Sequence, residues 1–370
     1  MGEDVILVIV VATALAFDFT NGFHDTANVV ATAISTRAAP PKVAVTLAAL
    51  LNFVGAFISL EVAATVAKDV VNGELISSTI VFAGLVGAIA WNLATWYFGL
   101  PSSSSHALIG GMVGAAFVAE GADAIFGEGI LGKVLVPALI APLLAFAVAG
   151  IAILVAYRVI GSQRPGPVSR GFKAGQLVSG GLLALSHGTN DAQKTMGVIT
   201  LALVAHGTIS PDNFHVPTWV VVSAATAIAL GTYMGGWRII KTMSTRIIKM
   251  DSAQGFSAQG AGAAVILASS HFGYPLSTTH VINGGIMGAG AAKRLSAVRW
   301  GVAGNIFIAW ILTLPMAAAG GGLVWGITRI FGTGPIGPVI VATLMLAGVL
   351  WLFARRFREA SAVATSGATP

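Results

Sequence analysis

The sequence predicts an all-α polytopic membrane protein with two inverted-topology repeats, broken helices and re-entrant helical hairpins, in about 10–12 helical segments. Hydrophobic residues make up 56% of the 370 residues and charged residues only 9%, whereas a soluble domain carries about 25% charged residues. The apolar residues form long continuous runs, unlike the short alternating strands of a β-barrel. Two polar motifs each occur twice, once in each half of the chain.

Nine apolar runs divide the chain, at 5–36, 43–66, 76–118, 131–157, 174–205, 218–237, 259–292, 300–330 and 338–354. Runs 5–36 and 174–205 are too long for one straight span, and each has a polar cluster near its middle. We therefore expect a broken helix in both. Runs 76–118 and 259–292 are interrupted by prolines, so we expect re-entrant hairpins or pairs of spans that return to the same face.

Sixteen of the 20 basic residues lie in short tracts between the apolar runs, at 37–42, 158–173, 238–249, 293–299 and 355–358. The positive-inside rule puts such tracts in the cytoplasm. This places the N-terminus outside and the C-terminus in the cytoplasm, and the second half then repeats the path of the first in reverse. The net charge of +6 is explained by this topology, so we expect membrane lipid and no nucleic acid as a partner.

An internal repeat is visible in the two motif pairs. PSSSSHALIGG (101–111) and PLSTTHVINGG (275–285) share the proline, one serine, the histidine and both glycines. NGFHDTAN (21–28) and HGTNDAQK (187–194) share a glycine and an aspartate in register. The two offsets, 174 and 166 residues, are similar, and the predicted topologies are opposite. An inverted repeat of this kind is the plan of many secondary transporters.

The repeat divides the chain into predicted domains. We expect the first inverted repeat at 1–160, a cytoplasmic linker at 161–173, the second repeat at 174–330, an extra transmembrane helix at 338–354 and a cytoplasmic tail at 355–370.

Asp25 and Asp191 lie midway along runs 5–36 and 174–205. A carboxylate at membrane depth costs several kcal/mol unless it is paired, hydrated or bound to a cation, so a functional role is the first interpretation. A bond to a neighbouring helix is the alternative. Oxygen-rich amides and hydroxyls surround both residues, which suits a hard cation such as Na⁺. The predicted coupling-cation residues are Asp25, Asp191, Asn21, Asn190, Thr26 and Gln193, with Asp25 and Asp191 as the Na⁺ ligands.

The hydroxyl runs after Pro101 and Pro275 precede helical stretches. Hydroxyls at a helix start can simply cap free N–H groups. Two such starts facing each other would instead surround a tetrahedral oxyanion with donors and with the positive ends of helix dipoles. The predicted anion-binding residues are Ser103, Ser104, Ser105, Ser277, Thr278, Thr279, Asn28 and Lys194. Lys194 could equally be a counter-ion to one of the aspartates.

Three histidines are candidates for proton-linked roles. His24 lies beside Asp25 and is the strongest of them, while His106 and His280 follow the two hydroxyl runs in matching places. A packed, hydrogen-bonded histidine explains the latter two equally well. The chain has no cysteine, which excludes thiolate metal sites and a thiol nucleophile. We expect no cofactor and no enzymatic activity.

These motifs resemble those of the inorganic phosphate transporter (PiT) family. The matching stretches are 21–36, 100–111, 185–198, 231–240 and 274–285, and they follow the order of the family. The resemblance implies cation-coupled uptake of inorganic phosphate, a prokaryotic plasma (inner) membrane and a homodimer. It also implies that Asp25 and Asp191 serve coupling cation and substrate, and that Ser103–Ser105 and Ser277–Thr279 line the phosphate site.

The expected function is import of inorganic phosphate by alternating access, coupled to Na⁺ or H⁺. Animal members carry intramembrane glutamates near places that are neutral here, such as Asn52, so the coupling ion stays open between the two. A sulfate or other oxyanion symporter on the same scaffold is the alternative, and an anion channel is a more distant one.

Overall fold

The computed structural model describes residues 2–365, with side chains as far as residue 351. Within that range the chain forms thirteen α-helices, when Gly127–Ile160 is counted as one, and only two isolated β-bridges. The first six are α1 (Gly2–Ser35), α2 (Pro41–Gly55), α3 (Glu61–Lys68), α4 (Ser78–Phe98), α5 (Ser104–Glu120) and α6 (Gly127–Ile160). The next six are α7 (Pro165–Ala205), α8 (Thr218–Met234), α9 (Trp237–Thr245), α10 (Ser252–His271), α11 (Thr278–Lys293) and α12 (Trp300–Ile330), and α13 (Ile336–Thr365) follows.

Four helices, α1, α4, α6 and α12, are long and apolar enough to cross a bilayer by length and composition. The pair α8–α9, bent by 64°, qualifies as a fifth when it is taken together. Large apolar side chains such as Leu143 on α6 and Ile311 on α12 are exposed on the surface. Lipid is the solvent that suits such a surface, so the predicted class of α-helical membrane protein is confirmed.

The predicted breaks within runs 5–36 and 174–205 are wrong. Helices α1 and α7 run without interruption through Asp25 and Asp191. Asp25, Asn28, Asp191 and Lys194 find partners on other helices and on the hairpin tips, so the backbone does not have to unwind around them. The structure breaks instead between α2 and α3, and at Gly235 between α8 and α9.

Runs 76–118 and 259–292 form two helical hairpins, α4–α5 and α10–α11. Gly99 (φ 67°) and Gly273 (φ 73°) each follow the first helix of a hairpin in a left-handed conformation that other residues avoid. A proline prevents either helix from continuing through the tip. The tips touch each other, because the Ser105 hydroxyl donates to the carbonyl of Leu276 at 3.0 Å.

The two halves contain the same succession of elements. In each, a long helix, a helix of 15 to 17 residues, a short helix and a hairpin are followed by a 3₁₀ turn and another long helix. The 3₁₀ turns, Ala122–Ala124 and Leu295–Ala297, adjoin equivalent β-bridges, Val71–Ile125 and Ile248–Val298. The domain boundaries and the opposite orientation of the halves stay predictions.

Glycines place the long helices α1 and α7 in matching contacts. Gly22 of α1 faces the backbone carbonyl of Ile228 on α8, and Gly188 of α7 faces that of Asn52 on α2. Gly22 and Gly188 are related by the 166-residue offset of the aspartate motifs. Both contacts join a helix of one half to a helix of the other, so the halves interlock and are not two separate bundles.

The second helix of each hairpin makes the same kind of crossing. Gly114 of α5 lies against the backbone of Ala318 on α12, and Gly288 of α11 lies against that of Phe146 on α6. Gly114 and Gly288 are separated by the 174-residue offset of the hydroxyl motifs. Each hairpin is therefore held by a long helix from the opposite half, and this brings the two tips to the middle of the molecule.

The last helix, α13, begins near the predicted start of run 338–354 but continues to Thr365, through most of the predicted tail 355–370. Residues 366–370 of that tail lie outside the described residues, as do the side chains of Arg355, Arg356 and Arg358.

Candidate functional site

Asp25 is positioned by α1, and its carboxylate accepts hydrogen bonds from both hairpin tips. Ser104 donates to its Oδ1 at 3.3 Å, Thr279 to Oδ1 at 3.4 Å and Thr278 to Oδ2 at 3.4 Å. The Nδ1 atom of His24 lies 2.7 Å from Oδ1. Asp25 is 2% exposed, so these partners replace water around its charge.

Asp191 occupies the equivalent place on α7 and is fully buried. The Thr278 hydroxyl donates to its Oδ2 at 3.1 Å, and Nε2 of His187 lies 3.0 Å from the same oxygen. The ammonium of Lys194 donates to Oδ1. Since Thr278 contacts both carboxylates, the two aspartates belong to a single cluster.

The hydroxyl runs divide into two roles. Ser103 and Ser277 cap α5 and α11, accepting from the backbone N–H of His106 at 3.1 Å and of His280 at 3.2 Å. Each of these hydroxyls accepts a hydrogen bond in the cap and keeps its own proton to donate, so the predicted role of Ser103 and Ser277 as phosphate ligands stays a prediction. Four other hydroxyls reach the cluster, each at most 2% exposed: Ser104, Ser105, Thr278 and Thr279.

Asn28 and Lys194 also contact the cluster. Each lies on a long helix and donates a hydrogen bond to a hydroxyl at the hairpin tip of the opposite half. Asn28 Nδ2 donates to Thr279 Oγ1 at 2.9 Å and to Thr278 Oγ1 at 3.3 Å. Lys194 Nζ donates to Ser105 Oγ at 2.5 Å and to the carbonyl of Leu276 at 2.7 Å, in addition to Asp191.

The remaining predicted cation residues bond elsewhere. Gln193 Oε1 accepts from the backbone N–H groups of Val62 and Ala63, at 2.8 and 3.2 Å, so its oxygen caps the start of α3 and is not free for a cation. Asn190 Nδ2 donates to Ser270 at 2.8 Å and to a backbone carbonyl. The Thr26 hydroxyl donates to the carbonyl of Gly22 at 2.6 Å.

The amide oxygens of Asn21 and Asn190 are different, because both Oδ1 atoms are buried and have no hydrogen-bond partner among the described residues. Asn21 lies on α1, one helical turn before Asp25, and Asn190 directly precedes Asp191 on α7. An unsatisfied amide oxygen near a carboxylate can serve a cation, so both residues keep their predicted role as candidates.

The fold separates His24 from the other two predicted histidines. His24 bridges Asp25 to Thr95, with Nε2 3.1 Å from the Thr95 hydroxyl. His106 and His280 meet edge to face where the tips cross, with ring centroids 4.7 Å apart, and Trp310 stacks on His280 at 4.0 Å. This aromatic contact joins the tips and makes packing the simpler role of the pair.

Sequence reasoning missed His187. It contacts Asp191 through Nε2 and Asn52 through Nδ1 at 3.2 Å, while Asn52 Nδ2 donates to Thr232 at 2.8 Å. The four-residue spacing of His187 and Asp191 on one helix was the available signal. Asn52 links α2, α7 and α8, so it serves as a polar contact between helices.

The cluster has the composition of a cation site next to an anion site. One ligand atom from each of Asp25, His187 and Asp191 lies within 4.8 Å of the other two. Two carboxylates this close repel each other in a medium of low dielectric constant, and a bound cation would relieve the repulsion. The hydroxyls and the starts of α5 and α11 supply donors for an anion on the other side.

Two clefts open at different parts of the surface. One, of about 650 Å³, is lined by Thr36, Arg37, Tyr157, Lys173 and Asp251, among others. The other, of about 770 Å³, is lined by Lys68, Asp69, Glu128, Lys133 and Tyr274, among others. Tyr274 belongs to the tip of the second hairpin, and its carbonyl accepts from Asn190 at 3.1 Å. The buried cluster is therefore separated from this cleft by the hairpin tip itself.

Comparison with known proteins identifies the family. The family model described as the phosphate transporter family matches residues 21–321, which include both aspartate motifs and both hydroxyl motifs. The chain belongs to this family.

Relatives within the family match over most of their length. The chain is 50% identical over 352 residues to a probable low-affinity inorganic phosphate transporter of Mycobacterium tuberculosis, covering 95% of this chain and 84% of the relative. It is 43% identical to a protein of the same description from Bacillus subtilis, covering 87% and 96%. Among solved structures, the sodium-dependent phosphate transporter matches with a TM-score of 0.79 and 25% identity, over 88% of this chain and 99% of that one.

These matches confirm the resemblance drawn from the motifs. They also confirm the interpretation of the chain as a transporter and not an enzyme, because its relatives are named as transporters. The roles of individual site residues, the coupling ion, the homodimer and the orientation of the C-terminus stay predictions.

Proposed function

We propose that this protein imports inorganic phosphate by alternating access, coupled to Na⁺ or H⁺, across a prokaryotic plasma membrane. The observation that carries the proposal is the single buried cluster in which hydroxyls from both hairpin tips meet both motif aspartates. A cation site and an anion site that share residues are what coupled transport of an anion requires.

Phosphate is held by the hydroxyls of the two tips and by the Asn28 amide. Ser104, Ser105, Thr278 and Thr279 lie in the first turn of α5 or α11, where free backbone N–H groups and the helix dipole add to the attraction. Donors that arrive from two opposed helix starts can reach several oxygens of a tetrahedral anion.

Coupling follows from competition for the same hydroxyl protons. Ser104, Thr278 and Thr279 donate to the carboxylates in this structure. A cation at Asp25 and Asp191 neutralises the oxygens that hold these protons, and the hydroxyls can then turn to phosphate. Cation and anion therefore raise each other's affinity, and this coupling free energy is reciprocal.

The membrane potential explains why the cation is needed. Moving an anion into a negative cell costs about 2.3 kcal/mol per charge per 100 mV. A co-transported cation cancels that cost charge for charge. Import against a gradient requires the cations to carry at least as much charge as the phosphate.

Radiolabelled phosphate uptake into proteoliposomes tests the proposal, with an imposed Na⁺ gradient, an imposed H⁺ gradient or neither. We expect uptake above equilibrium with at least one gradient, and inhibition by arsenate. Uptake that sulfate blocks and arsenate does not would make the protein a sulfate carrier, and uptake that never exceeds equilibrium would make it a channel.

Thr278→Ala tests the site itself in the same assay. This variant removes a donor that contacts both carboxylates. We expect the phosphate concentration for half-maximal uptake to rise about 10- to 150-fold, the value of one hydrogen bond to a charged group. Thr226→Ala is the matched control, because that hydroxyl is exposed on α8 and bonds only within its helix. Equal behaviour of the two variants would remove Thr278 from the site.

A further inference from the structure

Lys194 is surrounded by the oxygens that a hard metal cation would use. Its ammonium is 1% exposed and donates to a carboxylate oxygen of Asp191, to the hydroxyl of Ser105 and to the backbone carbonyl of Leu276. An ammonium has three N–H donors, so all of them are used. Carboxylate, hydroxyl and carbonyl oxygens are also the ligand types that hard cations prefer.

These contacts argue against Lys194 as a direct phosphate ligand. To bind the anion, the ammonium would have to release at least one of its three oxygens. Release of Asp191 would leave a buried carboxylate without its cation, and release of Ser105 or Leu276 would loosen the contact between the two hairpin tips.

The first half of the chain has a neutral residue in the matching place. Asn28 lies three residues after Asp25, as Lys194 does after Asp191. Asn28 donates to Thr279, and Lys194 donates to Ser105, which is the counterpart of Thr279 in the other tip. The geometry is thus repeated in both halves, while the charge is present in only one.

We propose that Lys194 is a built-in cation of the transport site, which holds beside Asp191 the place that a free coupling cation takes beside Asp25. The proposal rests on the proposed function. It assigns the mobile cation to the Asp25 half, where Asn28 leaves the carboxylate without a fixed positive partner. A consequence is that each phosphate travels with one mobile cation fewer than it would with an amide at both positions.

The experiment exchanges the two residues. Lys194→Asn copies the first half into the second, and Asn28→Lys copies the second into the first. Initial phosphate uptake is measured in proteoliposomes at clamped voltage, against Na⁺ at fixed pH and against pH at fixed Na⁺. Lys241→Asn is the matched control, because that lysine is exposed on α9.

We expect the initial uptake rate of Lys194→Asn to rise more steeply with the concentration of the driving cation than that of the unmodified protein, with a reaction order higher by about one, by mass action. For Asn28→Lys this reaction order should be lower by about one, and for Lys241→Asn it should be unchanged. The two exchanges change the slope in opposite directions, which a general loss of activity cannot do.

Two results would overturn the proposal. One is an unchanged slope in Lys194→Asn. The other is loss of phosphate binding by purified, folded Lys194→Asn at saturating cation in a calorimetric titration, which would make Lys194 a phosphate ligand. If Lys194→Asn does not fold, the slope of Asn28→Lys decides, and an unchanged slope there refutes the idea. Absence of phosphate uptake by the unmodified protein under either gradient would instead refute the proposed function.

Discussion

Thr278 is the residue at which the chemistry of the two halves is joined. Its hydroxyl lies 3.1 Å from Oδ2 of Asp191 and 3.4 Å from Oδ2 of Asp25. A hydroxyl has one proton, so it can satisfy only one of the two carboxylates at a time. A change of charge at either aspartate therefore alters what the hydroxyl can offer to the other, and to an anion.

The two aspartates differ in their partners, and this predicts different effects of the same substitution. Asp25→Asn and Asp191→Asn should both abolish coupled uptake, because each removes a carboxylate of the cluster. Asp191→Asn should in addition destabilise the protein by about 3–5 kcal/mol, since it leaves the buried ammonium of Lys194 without its carboxylate. Asp25 contacts His24, which can be neutral, so its loss should cost less. Thermal unfolding in detergent measures the difference.

The double variant Asp191→Asn with Lys194→Met completes this comparison. It removes both charges, so we expect most of the lost stability to return while uptake stays absent. Equal melting temperatures of Asp25→Asn and Asp191→Asn would contradict the larger loss predicted for Asp191→Asn. Failure of the double variant to regain stability would show that the unpaired ammonium of Lys194 is not the cause of the loss.

At the scale of single residues, the main members of the buried cluster could be picked out from the sequence because apolar runs make polar residues conspicuous. Asp25, Asp191 and the hydroxyls after Pro101 and Pro275 stood out in this way. For Gln193 the structure adds a contact that no local pattern reveals, because its oxygen accepts from the start of α3, 131 residues away in sequence. His187 was missed for a similar reason, since its bond to Asn52 joins two distant helices.

Gln193 gives the first prediction for an element, the short helix α3. Gln193→Ala leaves two N–H groups at the start of α3 without an acceptor, and we expect a loss of about 1–2 kcal/mol of stability, as for other helix caps. The cation concentration for half-maximal uptake should stay the same. A clear rise in that concentration would restore Gln193 as a cation ligand.

The packing of α7 on α2 gives the second prediction at the scale of an element. A Cβ atom at Gly188 would collide with the backbone carbonyl of Asn52, and neither helix backbone can yield easily. We expect Gly188→Ala to cost at least about 1–3 kcal/mol, the range for overpacked sites, and to displace Asp191.

Gly304→Ala is the matched control for this packing contact. Gly304 lies within α12, and a Cβ atom added there would meet no other atom within 4 Å. Alanine favours a helix over glycine by about 1 kcal/mol, so this variant should be neutral or more stable. Melting temperatures in detergent compare the two, and a stable, active Gly188→Ala would show that α2 and α7 are not held at this contact.

The positions of most helices and of the hairpin tips could be predicted from the sequence, but the uninterrupted course of α1 and α7 could not. Long apolar runs and the hairpin prolines were local signals, and each corresponds to a helix or a hairpin tip. The uninterrupted paths of α1 and α7 depend on partners supplied by other helices, such as Thr232 for Thr26 and Thr278 for Asp191. Such partners are defined only after the whole molecule has folded.

At the scale of the whole molecule, the halves are interlocked by contacts that repeat. Helix α5 packs on α12 and α11 packs on α6, while α1 packs on α8 and α7 packs on α2. Each hairpin thus belongs to one half of the chain but packs against a long helix of the other half. Movement of one hairpin against its supporting helix would open one side of the buried cluster while the other side stays closed, which is the requirement of alternating access.

The predicted inverted orientation of the halves can be tested by labelling introduced cysteines, because the chain has no cysteine of its own. Ala122 lies in the connection between α5 and α6, and Ser296 lies in the equivalent connection between α11 and α12, at the 174-residue offset. Both residues are exposed. If the repeats are inverted, these equivalent positions lie on opposite sides of the membrane, with Ala122 outside and Ser296 beside the basic tract in the cytoplasm.

Labelling with a membrane-impermeant maleimide tests this orientation in intact cells that carry the single variant Ala122→Cys or Ser296→Cys. We expect Ala122→Cys to be labelled from outside, and Ser296→Cys to be labelled only after the membrane is permeabilised. The unmodified chain, which has no thiol, measures the background. Labelling of both positions from the same side would mean that the two halves have parallel orientations. The two aspartates would then not be related by inversion, and two-sided access to the cluster by equivalent movements of the two hairpins would lose its structural basis.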